Sequence, residues 1–484
     1  MNFGMIRYIC GQVIRFEAGF MALSAIVALL YSEYHTAMMF SVTILGALLL
    51  SLLLAPTKPT DKSFHAKEGI ITVSISWVII SLIGAVPFTL TGSTPTYIDS
   101  IFETISGFST TGSSLIPNVE VIDKGILFWR SFTHWIGGMG VLVFVMAILP
   151  MSGADPFNVM RAESPGPTKE KLVPKARQTA SILYKIYIVL TLAQIVLLLF
   201  GGMPLFDSVV HTFGTAGTGG FSIKNLSIGY YNSVYIDVVI TVFMILYGIN
   251  FSAFFLLVAG KFKKFLLHEE MRTYLGIIIV AILIIAINLM GPAYSNFAES
   301  LRYSSFQVAS IITTTGYATT NFDSWPTLSK YTLVFLMFIG ACAGSTGGGI
   351  KVSRILIMFK TLKREAFRLL HPNAVKLVKL EGVPLSENII RGTGIFVVTY
   401  VGLTAISIMF VSIDGFDMET TATAVITCIS NVGPGLGGVG PIGNFSGFSA
   451  FSKIILSFDM LAGRLEIFPV LMLFWPAVWR RRNS

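Results

Sequence analysis

The sequence predicts an all-α polytopic membrane protein with a fourfold internal repeat. Of its 484 residues, 54% are hydrophobic and only 12% are charged, whereas soluble proteins carry about 25% charged residues. The mean hydropathy is +0.75. The hydrophobic residues lie in runs of about 20, the length of helix that crosses a hydrocarbon core of about 30 Å. This composition excludes a soluble enzyme.

Ten apolar runs predict ten membrane crossings. They lie at residues 13–32, 38–56, 68–91, 126–150, 178–201, 233–258, 272–291, 330–359, 389–411 and 452–478. The first has Arg15 and Glu17 at its start and no small-residue cleavage site after it, so we expect it to stay in the mature protein. The last ends at Trp475, Trp479 and Arg480–Arg482, which we expect to anchor it among lipid headgroups.

The distribution of basic residues predicts the orientation. The predicted inner loops are residues 57–67, 151–177, 259–272, 360–391 and 479–484. Together they hold 22 Lys and Arg residues. The four later outer segments hold only Lys124, Lys224 and Arg302. This asymmetry places both termini in the cytoplasm. The basic excess thus reflects orientation, and no nucleic-acid partner is expected.

The segments after the third, fifth, seventh and ninth runs share one pattern. About ten residues of helix-compatible sequence, too few to cross a membrane, lead into a short motif that ends in glycine. The four motifs are Thr110, Thr111, Gly112; Thr218, Gly219, Gly220; Thr314, Thr315, Gly316; and Asn431, Val432, Gly433. Because another crossing follows each time, each segment must enter the membrane and return.

Four such hairpins imply a shared aqueous centre, since non-helical backbone at membrane depth must be buried in protein or line a water-filled path. We therefore expect four pseudo-fourfold units of helix, pore helix, filter and helix around one central pore. The predicted divisions are 1–66 for two extra N-terminal helices, then 67–177, 178–271, 272–388 and 389–484 for repeats 1 to 4.

The chemistry of the motifs is that of a potassium filter. Such a filter replaces the hydration shell of the ion with rings of backbone carbonyls, and glycine permits the required positive φ. The opening threonine of three motifs can add a hydroxyl, which Asn431 replaces in the fourth. One such motif alone is an ordinary turn, but four in register favour a filter. The twelve motif residues are the predicted sites for potassium, which would be a substrate rather than a cofactor; no cofactor is expected.

Four acidic residues precede the motifs: Asp99, Glu103, Asp207 and Asp417. They could attract cations, but we expect the three aspartates to cap pore helices.

No enzyme is expected, because an intramembrane hydrolase would need facing Ser and His or paired aspartates. Asp237 and Asp459 lie in no recognisable motif. His134 and His211 are expected to be satisfied within helices rather than to bind a metal.

Together with the four motifs, two further stretches, Gly344–Lys351 and Asn431–Leu436, resemble those of the TrkH/KtrB family of potassium uptake proteins. The resemblance covers nearly the whole chain, and the extra N-terminal helices make it more like TrkH. It implies a homodimer with one pore per subunit in a bacterial or archaeal cytoplasmic membrane, partnered by a cytosolic ring of nucleotide-binding RCK domains. It also links Gly112, the glycine of the first motif, with potassium selectivity.

The eighth run contains a glycine-rich stretch that we expect to break its helix, since each glycine costs about 1 kcal/mol relative to alanine. The predicted gating residues are Gly344, Ser345, Thr346, Gly347, Gly348 and Gly349, together with Arg464. Close packing of helices through small residues is the alternative. A phosphate-binding loop is not supported, because Ile350 separates Gly349 from Lys351.

Arg464 lies about twelve positions into the last run, near the bilayer centre, where a charge costs about 2.5 kcal/mol or more. Its spacing from Asp459 and Glu466 does not suit a pair within one helix. We expect it to lie below the filter and repel the permeating cation, and the family resemblance points the same way.

These observations predict potassium uptake through a gated, channel-like pore. A secondary transporter that couples potassium to sodium or protons is the alternative. Such transporters usually show inverted or two-part repeats, so the fourfold repeat favours the pore.

Overall fold

The computed structural model describes residues 1–57, 59–60, 65–140 and 176–479. Four predicted features lie partly or wholly outside these ranges: residues 58 and 61–64 of inner loop 57–67, the last ten residues of the fourth run, nearly all of inner loop 151–177, and the basic anchor Arg480–Arg482. The described parts are mostly helical and contain one short antiparallel hairpin, β1 (Lys379–Leu380) with β2 (Val383–Pro384).

The helices follow the predicted order of a leading pair and four repeats. The leading pair is α1 (Phe3–Leu30) and α2 (Tyr34–Leu54). Repeat 1 contains α3 (Ala66–Leu90), α4 (Tyr97–Phe108) and α5 (Lys124–Met139). Repeat 2 contains α6 (Ala176–Phe200), α7 (Leu205–Gly217), α8 (Val234–Tyr247), α9 (Phe251–Val258) and α10 (Phe262–Leu266). Repeat 3 contains α11 (Glu269–Leu289), α12 (Phe297–Ile312), α13 (Thr327–Ile339) and α14 (Val352–Leu370). Repeat 4 contains α15 (Glu387–Val411), α16 (Met418–Ser430), α17 (Ala450–Arg464), α18 (Phe468–Leu473) and α19 (Pro476–Trp479).

The first helix begins ten residues earlier than the hydropathy predicted. The Asn2 side chain accepts a hydrogen bond from the backbone N–H of Met5 and caps the helix there. Arg15 lies inside the helix because α2 supplies its partners: its Nε donates to Ser51 Oγ at 2.7 Å and its Nη2 to the Ala55 carbonyl at 3.1 Å. A charge that is satisfied by a neighbouring helix does not have to mark a membrane boundary.

The second long helix of a repeat is broken in more places than predicted. The break in the eighth run is confirmed between α13 and α14, and the sixth run, for which no break was predicted, is broken as well. There α8 and α9 meet at an angle of 93°. Asn250 starts the new helix, since its side chain accepts from the N–H of Ser252 at 2.8 Å.

The tenth run, for which no break was predicted, is broken as well. The break falls at Glu466 and Ile467, whose φ angles are 58° and 63°. Pro469 follows in the first turn of α18. In a continuous helix Pro469 would lack the hydrogen bond to the Leu465 carbonyl and its ring would clash with that group, whereas proline is tolerated in the first turn of a new helix. A cluster that includes Ile467 and Tyr400 packs around this break.

The four short pore helices are present as predicted. They are α4, α7, α12 and α16, with 12, 13, 16 and 13 residues. Two large hydrophobic clusters surround them. One joins the leading pair with repeats 1 and 4 and includes Trp77, Trp129 and Leu456. The other joins repeats 2 and 3 and includes Tyr274 and Met337. The hydrophobic core therefore surrounds the four motifs.

The predicted capping of the pore helices is confirmed for one aspartate of three. Asp417 is the N-cap of α16, and its carboxylate accepts from the N–H of Thr420. Asp99 and Asp207 lie in the first turn instead, so the capping prediction is wrong for them. Their carboxylates have other partners: Asp99 pairs with Lys453 at 2.7 Å, and Asp207 accepts from the Tyr231 hydroxyl at 2.6 Å.

Candidate functional site

Each pore helix ends in the same turn at its motif. The first motif residue is left-handed in all four repeats, with φ of 56° at Thr110, 56° at Thr218, 59° at Thr314 and 57° at Asn431. The next N–H then bonds back to the carbonyl five residues earlier, at 2.8–2.9 Å in each repeat. This pair of features defines a Schellman turn, in which glycine usually takes the left-handed position. Here β-branched threonine holds it in three repeats.

The glycine that ends each motif has a positive φ, as the sequence predicts, at 84°, 74°, 82° and 104° in chain order. A Cβ atom placed on any of them would collide with a backbone carbonyl of another repeat. The distances are 1.9 Å from Gly112 to Gly219 O, 1.9 Å from Gly220 to Thr315 O, 2.2 Å from Gly316 to Val432 O and 2.8 Å from Gly433 to Thr111 O. Repeat 1 therefore lies next to repeat 2, repeat 2 next to repeat 3, repeat 3 next to repeat 4, and repeat 4 next to repeat 1. The four motifs form a closed ring.

The residue after each glycine packs against the preceding repeat. Ser113 Oγ donates to the Gly433 carbonyl at 3.2 Å, and the Phe221 ring lies 4.2 Å from the His134 ring. The Tyr317 hydroxyl donates to the His211 carbonyl at 2.9 Å. Pro434 Cδ lies 2.8 Å from a Cβ placed on Gly316. The ring is thus interlocked on its outer side as well.

The opening side chains of the motifs differ in their contacts. Thr110 Oγ1 is buried without a hydrogen-bond partner in the described part of the chain, whereas Thr314 Oγ1 accepts from the N–H of Gly348 at 2.7 Å. The Asn431 amide donates to Thr111 Oγ1 at 3.0 Å and to the Met460 carbonyl at 2.8 Å. The carboxyl ends of the pore helices lie beside these groups, and their dipoles favour a cation by about 0.3–1 kcal/mol each.

The glycine-rich stretch between α13 and α14 is a loop with a closed neck. Two backbone hydrogen bonds hold the neck, from Ile350 N to Phe338 O at 2.9 Å and from Val352 N to Ala341 O at 3.0 Å. A buried carboxylate adds to it: Glu270 Oε1 accepts from the N–H of Ala343 at 2.6 Å and of Ser353 at 3.1 Å. One side chain of α11 therefore holds both ends of the loop.

The tip of this loop lies against the motifs of repeats 3 and 4. A Cβ placed on Gly348 would be 2.3 Å from the Ser430 carbonyl oxygen, and one on Gly347 would be 2.8 Å from that of Thr313. Both carbonyls belong to the last turn before a motif. Since a side chain does not fit at either position, glycine is what allows the tip to reach the ring.

Arg464 connects the loop to repeat 1. Its Nη1 donates to the Thr346 carbonyl at 2.6 Å, and its Nη2 donates to the carbonyls of Gly137 and, at 2.8 Å, Gly138 in the last turn of α5. Lys351, which is buried, donates from Nζ to the Gly347 carbonyl. Two basic side chains therefore hold the loop through hydrogen bonds to its backbone carbonyls.

With this geometry in place, comparison with known proteins identifies the chain. The TrkH family model, described as a cation transport protein, matches residues 35–481. The chain belongs to the TrkH family. It is 36% identical to the Trk system potassium uptake protein TrkH of Salmonella typhimurium, across 99% of this chain and 100% of that protein. It is 32% identical to the Trk system potassium uptake protein TrkG of Escherichia coli, across 98% of both chains.

A solved structure of the TrkH family has the same architecture. The crystal structure of the potassium transporter TrkH from Vibrio parahaemolyticus matches with a TM-score of 0.89 and 32% sequence identity, and the match covers 99% of this chain and 100% of that one. The multi-pass helical fold and its pseudo-fourfold repeat are therefore those of the TrkH family.

The structure brings together all twelve motif residues, the loop and Arg464, but it separates Glu103 from the outer surface. Glu103 is fully buried and paired with Arg130, so it is not an exposed acid that attracts cations. His134 and His211 are satisfied within the protein, as expected. His134 Nδ1 donates to the Gly107 carbonyl and its Nε2 accepts from Phe221 N–H.

Sequence reasoning missed Glu270, and it named Lys351 only as the end of a family-like stretch, without its contact to the loop. Glu270 lies 73 residues from its partner Ala343 along the chain, at the start of what looks like an ordinary apolar helix. The one available signal was its position, because an acid in the first turn of a membrane helix is costly unless it has a partner.

Proposed function

We propose that this protein takes up potassium through the ring formed by its four motifs, which acts as a carbonyl selectivity filter. The observation that carries the proposal is the closed ring of the four motifs. In each repeat the motif glycine lies next to the backbone carbonyl of the middle residue of the motif in the following repeat. Carbonyl groups that are held in such a ring can replace the hydration shell of a potassium ion. The printed names of the relatives, potassium uptake proteins of the Trk system, point to the same ion.

We propose further that the glycine-rich loop and Arg464 form the gate. The loop tip contacts the last turn before the motifs of repeats 3 and 4, and Arg464 places a positive charge beside the loop. A barrier of this kind is electrostatic as well as steric, because a fixed cation repels a permeating one in a medium of low dielectric constant.

The cellular setting completes the proposal. The excess of Lys and Arg on one set of loops supports a cytoplasmic location for both termini. We propose that the protein lies in the cytoplasmic membrane of a bacterium or archaeon as a homodimer with one pore per subunit. A cytosolic ring of nucleotide-binding RCK domains would be its regulatory partner, as in the family it belongs to.

Flux measurements in proteoliposomes test this function. Rubidium, potassium and sodium uptake would be measured with the purified protein, with and without an imposed pH gradient. We expect rubidium and potassium to enter faster than sodium, at a rate that does not depend on the pH gradient. Uptake that requires a proton or sodium gradient would instead establish a coupled secondary transporter, and equal uptake of all three ions would exclude a potassium filter.

Replacing Arg464 by alanine is expected to increase potassium influx per folded protein. We expect an increase of about fivefold, equivalent to about 1 kcal/mol in the barrier, because the variant removes both a fixed charge and the hydrogen bond to the loop. Rubidium influx at equal protein level measures it. The matched control is Arg302→Ala, since Arg302 pairs with Asp237 of α8 instead of the loop. A fall in flux in well-folded Arg464→Ala protein would show that the arginine keeps the pore open.

A further inference from the structure

A buried ion pair lies behind the motifs of repeats 1 and 2. Glu103 is on pore helix α4 and Arg130 is on α5, with Arg130 Nε 2.6 Å from Glu103 Oε1. The exposed fractions of the two side chains are 0% and 3%. Two buried charges are costly to desolvate unless the remaining donors and acceptors are also satisfied. The additional partners of the pair therefore indicate what it does.

Those partners are the backbone segments that leave two adjacent filters. Glu103 Oε1 accepts from Ser114 Oγ at 2.9 Å and its Oε2 accepts from Leu115 N–H at 2.8 Å, two and three residues after Gly112. Arg130 Nη1 donates to the Ser222 carbonyl at 3.0 Å, two residues after Gly220. Its guanidinium also lies 3.5 Å from the centre of the Phe221 ring. The pair therefore joins the outer end of filter 1 to that of filter 2.

The residues at the position equivalent to Glu103 in the other three pore helices show that repeat 1 differs from the rest. The residue nine positions before the filter glycine is Glu103, His211, Gln307 or Ala424 in repeats 1 to 4. His211 Nε2 bonds to Ser222 Oγ at 3.0 Å, and Gln307, in the amide orientation that satisfies both of its atoms, accepts from Thr319 N–H at 3.1 Å. Each thus braces the outgoing strand of its own repeat. Repeat 1 alone uses a charge at this register, and the partner of that charge reaches the neighbouring repeat.

We propose that Glu103 and Arg130 are positioning residues that set the separation of filters 1 and 2, and thereby the preference for potassium over sodium. The proposal rests on the filter function proposed above. Neither side chain touches the ion; the pair acts through Ser114, Leu115 and Ser222. Because charge-assisted hydrogen bonds are shorter and stronger than neutral ones, the pair keeps adjacent carbonyls at the spacing of the larger ion against the tendency of a smaller ion to draw them inward.

The test compares three variants by rubidium uptake in competition with sodium. Glu103→Gln keeps the size and an acceptor but removes the charge, as in repeat 3. Arg130→Lys keeps the charge but has a single nitrogen in place of the guanidinium fork, which binds Glu103 through Nε and the Ser222 carbonyl through Nη1. Glu103→Gln/Arg130→Met leaves no buried unpaired charge. The matched control is Asp237→Asn, which breaks another largely buried ion pair, that with Arg302 between α8 and α12.

We expect the rubidium-to-sodium ratio to fall by about tenfold in all three variants and to stay unchanged in the control. The half-saturating rubidium concentration should rise, while thermal stability recovers in the double variant. A wild-type ratio in folded Arg130→Lys and in the double variant would overturn the proposal. If Glu103→Gln does not fold, these two variants decide it. Failure of the filter function is distinguishable, because wild-type protein itself would then show no preference for rubidium.

Discussion

Replacing Gly112 by serine is expected to lower the preference for potassium over sodium by about tenfold or more, equivalent to about 1.4 kcal/mol. Gly112 has a φ of 84°, which a side chain disfavours, and a Cβ there would lie 1.9 Å from the Gly219 carbonyl oxygen. The carbonyl must move, and it belongs to the middle residue of the adjacent motif. Competition between sodium and rubidium in proteoliposomes measures the effect.

Two further serine variants show whether the carbonyl displacement is the cause. Gly316→Ser, with a carbonyl at 2.2 Å, should resemble Gly112→Ser, whereas Gly433→Ser, with a carbonyl at 2.8 Å, should be milder. Gly92→Ser is the control, because Gly92 has a φ of 71° but no neighbouring atom within 4 Å of a Cβ. If the flux ratio of folded Gly112→Ser protein equals that of wild type, the filter assignment is wrong.

Deleting Gly344–Gly348 is expected to raise basal cation flux by about tenfold or more, since a barrier that is lowered by about 1.4 kcal/mol gives that factor. The deletion removes the tip that lies against Ser430 and also the Thr346 carbonyl that Arg464 binds. It retains the residues that form the two hydrogen bonds of the neck. Uptake of rubidium without any cytosolic partner measures the basal flux.

The deletion has a different expected result if the loop serves only to pack helices together. If the loop only packs helices together, the shortened chain should lose thermal stability and its flux should stay level or fall. Size-exclusion chromatography and thermal unfolding would therefore accompany the flux measurement. Unchanged flux in a stable, correctly assembled protein would contradict the gate.

The repeat and the ring glycines could be predicted from the sequence because both are local patterns with a strong physical cause. Glycine is the residue that accepts the positive φ of a filter strand, and the four motifs recur at equivalent places between apolar runs. The break in the eighth run was predictable for a similar reason, since several glycines lie close together. These features require no knowledge of distant contacts.

Other features depend on distant contacts or on exceptions to residue preference. The left-handed threonines contradict the usual bias of β-branched residues, so no local rule predicts the left-handed backbone of Thr110 or Thr218. The break at Asn250 is hidden because the flanking residues are as apolar as a continuous span. Glu103 resembles an exposed acid until Arg130, 27 residues away, is placed against it. Of these three features, only the position of Glu103 is decided by a tertiary contact, whereas the threonine turns and the Asn250 cap are local arrangements that residue preferences do not predict.

The interlocked ring has a consequence for how the protein is made. Ser113 hydrogen-bonds to Gly433, a residue that the ribosome adds 320 positions later. The first motif is therefore translated long before its final neighbour. A nascent chain that stops short of repeat 4 carries three pore helices but no complete ring. If the ring acts as the filter proposed above, selective ion conduction requires repeat 4, and we expect unfinished chains to contribute no potassium-selective leak.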